Sequence, residues 1–141
     1  LLIDNYKIID TMTLEIESDI ICTGNQMYQI STRNGRPRLV KIDKVRAFQK
    51  DVVSQVDPLP SDLVDRVKCY VVTAHVYYYN WMTKANKLRR IDLTNVWKPL
   101  EDALCNGLGL DDSLCADQRQ IKYNRDRDTR LLVSLDYTFY G

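Results

Sequence analysis

Acids and one lysine crowd a short stretch of this chain. Arg90-Ile91-Asp92-Leu93-Thr94-Asn95-Val96-Trp97-Lys98-Pro99-Leu100-Glu101-Asp102-Ala103-Leu104 is followed by Leu110-Asp111-Asp112. Carboxylates from separate segments suit Mg²⁺, which prefers oxygen ligands and keeps several waters. A metal held in this way activates water and offsets the charge that develops on a phosphodiester during hydrolysis. Asp92 stands at the start of a predicted helix and Asp111-Asp112 just past its end. Lys98 is four residues from both Thr94 and Asp102, so the three share one helical face. There it can be aimed at a scissile phosphate, or it can form an ordinary surface pair with Asp102 worth about 0.3–0.5 kcal/mol. Each acid also has a plain structural reading. Asp92 can oppose the helix dipole, and Asp111-Asp112 is a common turn composition. Asn95 can orient a ligand carboxylate or help the cap.

The elements that must position these residues are readable from periodicity. Thr94 or Asp92 caps a helix running to about Asn106, with Val96, Leu100, Ala103 and Leu104 as its apolar stripe and Gly107 as its stop. Such a helix of about 12 residues is ~18 Å long, so 107–112 must fold back for Asp112 to meet Asp92. Gly107 and Gly109 permit that return. Residues 11–17 and 131–139 alternate as half-buried strands. Asn34-Gly35 sits between Tyr28–Ser31 and Arg38–Val40, a hairpin signal. Residues 41–56 form an amphipathic helix ended by Asp57-Pro58-Leu59-Pro60. Residues 67–79 are rich in Val, Tyr and Thr and read as a long central strand, and 119–124 as a further strand. The expected architecture is α/β (α+β): one domain over 1–141, with a mixed sheet and about two helices.

A chain of 141 residues fits a single domain with a real core. Its composition, 45% hydrophobic and 28% charged, is that of a soluble globular protein. No apolar run approaches the ~18–20 residues needed to span a bilayer, and no signal-peptide pattern opens the chain. A cytoplasmic setting is expected. Leu1 in place of Met points to a trimmed or incomplete start. Cys22, Cys69, Cys105 and Cys115 form no Cys-x-x-Cys pattern, and His75 is the single histidine, which argues against a zinc site. His75 reads as a strand residue. There is no glycine-rich phosphate loop, so no nucleotide cofactor is expected.

Net charge is +1, but the charges are segregated. Arg33, Arg36, Arg38, Lys41, Lys44, Arg46 and Lys50 face one acid, Asp43, within 31–50. Lys84, Lys87, Arg89 and Arg90 directly precede Asp92, and acids gather in 4–19 and 57–65. Such segregation can build a basic face for phosphates, although each cluster also suits a solvated surface. Tyr77, Tyr78, Tyr79 and Trp81 can stack on unpaired bases, but alternation favours burying about half of them.

The stretch 90–112 resembles the RusA-type Holliday junction resolvases, whose signature is Asp-x-Asp-Asn-x-x-Lys, then Asp-Ala-Leu, then a late Asp-Asp. Thr23-Gly24-Asn25-Gln26-Met27-Tyr28 resembles a loose form of the family's Pro-Ser-Asn-x-x-Tyr loop, without its prolines. The resemblance implies a homodimeric, Mg²⁺-dependent endonuclease, with Mn²⁺ as a substitute, that resolves four-way DNA junctions by paired nicks. It assigns the first metal carboxylate to Asp92, the last to Asp112 and the essential lysine to Lys98, with Asp111 and Asn95 in support. Asn25 and the basic segments 33–50 and 84–90 become candidates for gripping junction arms. Thr94 departs from the pattern, standing where the family has an acid. Its hydroxyl can ligate Mg²⁺ but brings no charge. A second reading follows, a weak or inactive junction-binding protein on the same fold.

Overall fold

A computed structural model describes the chain except for residues 21–27, 42, 90–92, 126 and 127, and except for the side chains of 28–30, 33 and 93–95. In chain order the elements are strand β1 (Ile8–Ser18), the hairpin β2 (Tyr28–Arg33) and β3 (Arg36–Lys41), helices α1 (Asp43–Ser54) and α2 (Ser61–Arg66), strand β4 (Cys69–Tyr78), helix α3 (Leu93–Leu108), and strands β5 (Cys115–Asn124) and β6 (Leu131–Tyr140). Four strands form one mixed sheet in the order β1-β6-β4-β5. β6 pairs antiparallel with β1 and β4, whereas β4 and β5 run parallel. A parallel pair needs a crossover rather than a hairpin, and α3 is that crossover. Its position on one face of the sheet is thus set by the connection itself.

Alternation sorts the sheet into two faces. Tyr70, Val72, Ala74, Val76 and Tyr78 of β4 point inward with Leu131, Val133, Leu135, Tyr137 and Phe139 of β6, and all are buried. Val45, Phe48 and Val52 of α1 and Val96, Leu100, Ala103, Leu104 and Leu108 of α3 close the same core. Each large side chain so buried contributes about 1.5–3 kcal/mol. α1 and α3 pack against each other as well as against the sheet. The fold is therefore a two-layer α+β domain of the expected mixed-sheet kind.

Asn34 (φ 53°) and Gly35 (φ 73°) both adopt the left-handed conformation that a tight hairpin turn of the primed type requires. The hairpin forms its own two-stranded sheet rather than joining the larger one. Central β4 and the strand β6 match the patterns in 67–79 and 131–139. α2 is an addition; six residues are too few for a helical period to register. The stop assigned to Gly107 lies further on. α3 continues through Gly107 to Leu108, and Gly109 (φ 77°) makes the turn. Gly107 serves packing instead: a Cβ there would meet the Val56 Cβ at 3.2 Å.

Tyr78 and Trp81 are buried and packed edge-on, Tyr79 is exposed, and Tyr77 stacks on Tyr123. His75, on the outer face, contacts Asp136 Oδ2 through Nε2 at 3.2 Å and the Tyr123 hydroxyl through Nδ1 at 3.1 Å. Cys69 is buried as a small core residue. Among the described residues no helix is long and apolar enough to cross a membrane.

Candidate metal centre

α3 brings the centre together through its spacing and its ending. Lys98 and Asp102 lie one turn apart, and Lys98 Nζ donates to Asp102 Oδ1 at 3.0 Å. Glu101 stands beside them, 3.9 Å from Lys98 Nζ. At the far end of the helix, the N–H groups of Gly109 and Leu110 both donate to the Cys105 carbonyl, at 2.9 and 3.0 Å. This left-handed closure satisfies end carbonyls and turns the chain back. Leu110 is buried, which anchors the return.

Asp111 then caps a short 3-10 turn, Asp112–Leu114. Its Oδ1 accepts from the Ser113 N–H at 2.9 Å and from the Ser113 hydroxyl at 2.7 Å. These bonds hold the Asp111 carboxyl below its ordinary acidity range. The turn delivers the next residue, Asp112, to the helix face, with Oδ2 3.8 Å from Lys98 Nζ. Glu101, Asp102 and Asp112 thereby offer carboxylate oxygens that all lie within 4.8 Å of one another.

The electrostatics of the cluster are those of crowded anions around one cation. The Lys98 ammonium is held above its ordinary range, first by its hydrogen bond to Asp102 and then by the charges of Asp102, Glu101 and Asp112 against some desolvation. Burial pushes the Glu101 carboxyl up, opposed by the bond it accepts from Trp97 Nε1 at 2.9 Å. Two thiols lie behind the acids. Cys105 Sγ is 3.5 Å from the Tyr70 hydroxyl. Burial raises the Cys105 thiol, and burial together with Glu101 raises Cys115 to about 11, so both are neutral. An all-carboxylate set of hard oxygen donors suits Mg²⁺ or Mn²⁺ rather than a soft ion.

The profile of the endodeoxyribonuclease RusA family matches residues 20–136. The chain belongs to the RusA endodeoxyribonuclease family. No curated protein matches it. The RusA profile spans the hairpin, both long helices and most of the sheet, so it covers every element that builds the acid cluster.

The residues singled out in the sequence are placed differently within this RusA domain. Lys98 and Asp112 are brought together. Asp111 is placed beside them, but its Oδ1 is engaged by Ser113. Asp92, Arg90 and Asn25 lie outside the described residues, as do the side chains of Thr94, Asn95 and Arg33. Of the basic residues, Arg36 and Arg38 are exposed on the hairpin, Lys44 and Lys50 on α1, and Lys84, Lys87 and Arg89 on the loop after β4. Lys41 is half-buried where β3 ends. Sequence reasoning overlooked Glu101 as part of the cluster and took Asp102 only as a surface partner of Lys98. Asp102 had a usable signal, its place on the face of Thr94 and Lys98. Glu101, three residues from Lys98 and seven from Thr94, shares that face and carried the same signal.

Proposed function

We propose that this chain is a Holliday junction endodeoxyribonuclease that hydrolyses phosphodiesters with a divalent metal. The observation that carries this reading is the meeting of Glu101, Asp102 and Asp112 at Lys98 within a RusA-family domain. Asp92 and Asp112 are the carboxylates the family pattern assigns to the ion. Asp102 offers a further anion two turns along the helix from Thr94 and joins Glu101 and Asp112 in the cluster. Asp111 acts as a positioning residue through its cap of the turn that carries Asp112. When bound, Mg²⁺ or Mn²⁺ would lower the pKa of a water and draw charge from the phosphate.

The chain's own groups do the rest. The carboxylates orient and deprotonate the attacking water. Its oxygen bonds to phosphorus, the bond to the leaving sugar oxygen breaks, and that oxygen takes up a proton. Lys98 stabilises the extra negative charge on the phosphoryl oxygens. Paired nicks across a junction require two such sites, for which a homodimer is the simplest supply. The exposed hairpin arginines and the lysines of 84–90 would hold the arms.

A synthetic four-way junction incubated with and without Mg²⁺ or Mn²⁺, beside linear duplex, tests the reading. Metal-dependent paired nicks in the junction alone are expected. Thr94 favours a second reading, binding without cutting. A shifted but uncut junction would support it, and a gain of cutting in Thr94→Asp would then establish that the missing acid is the cause.

A further inference from the structure

The acid cluster contributes lining to two grooves, Asp102 to one and Glu101 and Asp112 to the other. One, of about 440 Å³, runs between α1 and α3 and is lined by Lys41, Gln49, Lys50, Asn106 and, at its end, Asp102. The other, of about 420 Å³, lies toward β5 and is lined by Glu101, Asp112, Asp117 and Gln118. We propose that the α1–α3 groove is the track by which a phosphodiester backbone reaches the acid cluster. The proposal rests on the DNA-cutting reading above and adds the side from which the strand enters.

The basic groove is preorganised. Lys41 Nζ donates to Gln49 Oε1 at 2.9 Å, and Gln49 Nε2 donates to the Pro99 carbonyl at 3.1 Å. That chain of bonds ties the end of β3 through α1 to α3, so Lys41 loses little freedom when it meets an anion. Lys50 is exposed on α1, and the Asn106 amide is exposed on α3 across from it. Ammonium and amide donors of this kind make the phosphate contacts that fix a strand's position without reading its sequence. Among the described residues the one acid lining this groove, Asp102, is already paired with Lys98. Among the described residues the other groove is lined by three carboxylates, two of them from the acid cluster, and by no lysine or arginine. Arg119 Nε lies 3.8 Å from Asp117, an exposed pair that reduces the local charge without reversing it. A polyanion is drawn along the first groove.

The test compares Lys50→Glu with Lys68→Glu, an equal charge change at an exposed lysine just before β4. Affinity for a labelled four-way junction is measured with Ca²⁺ in place of Mg²⁺, between about 50 and 200 mM salt. Lys50→Glu is expected to bind more weakly and to lower the slope of log affinity against log salt by about 1, whatever the junction's sequence. Lys68→Glu should match the wild type. Lys50→Gln guards against misfolding and should show the same slope change. Equal loss in the two glutamate variants, or loss in neither, overturns the groove while leaving the nuclease reading in place. A wild-type protein that neither binds nor cuts a junction removes both.

Discussion

Lys98 Nζ lies 3.8 Å from Asp112 Oδ2, a contact that spans the turn ending α3. With its 3.0 Å bond to Asp102, the lysine acts as a built-in counter-ion for the carboxylates that would take a metal. In the proposed reaction it would compete with a divalent cation while also supplying charge to a phosphate. Lys98→Met should separate these effects. Mn²⁺ should bind more tightly, seen as a larger metal-induced rise in melting temperature. Cleavage should fall by about 10²–10³-fold, the usual cost of removing one transition-state donor. Weaker Mn²⁺ binding in this variant would show that Lys98 supports the ion rather than opposing it.

Asp102 is assigned more than a surface pairing. Asp102→Asn keeps the side-chain volume and removes one anion from the cluster. Junction cleavage should drop by about 100-fold or more, since a bound metal contributes several kcal/mol. Junction affinity in Ca²⁺ should change little. Undiminished cleavage would return Asp102 to the role of helix-surface partner, where the loss is only about 0.3–0.5 kcal/mol of stability.

Glu101 gives a pH-dependent signature. Its carboxyl is raised above the ordinary 4.5, chiefly by burial. Folding thus takes up a proton on this group between 4.5 and the higher folded value. Its contribution to stability falls as pH rises through that window, and above it a buried charge remains as a cost. Glu101→Gln should raise the melting temperature at pH 7 in metal-free buffer, with the gain vanishing below about pH 4.5. The stabilisation that Mn²⁺ gives should shrink. A variant that melts no higher than its parent at pH 7 would contradict the burial cost.

Gly109 links the fold to the site. Its φ of 77° lies in the left-handed region, and a Cβ there would meet nothing within 4 Å. Gly109→Ala therefore suffers conformational strain alone, about 1–2 kcal/mol. Because Asp112 follows directly on this turn, the metal-induced rise in melting temperature should fall along with stability in urea. A stability loss with full metal response would mean that the turn absorbs the strain without moving Asp112.

The sequence by itself determined the pieces whose signals are local. The period-two patterns of 11–17 and 131–139, the Asn34-Gly35 turn, the apolar stripe Val96–Leu100–Ala103–Leu104 and the family motif around Lys98 all depend on neighbours within a few residues. The boundary at Gly107 was misread because glycine ends helices and also permits close packing, and only the presence of Val56 beside it decides between the two. The acid cluster was legible in part. Lys98, Glu101 and Asp102 share a helical face by spacing alone, but that spacing does not bring Asp112 to them. What makes Glu101, Asp102 and Asp112 one site is the left-handed turn at Gly109, the burial of Leu110 and the Asp111 cap, which act together to fold the chain back. That closure depends on α3 lying against α1 and the sheet, a relation between distant segments that no local spacing encodes.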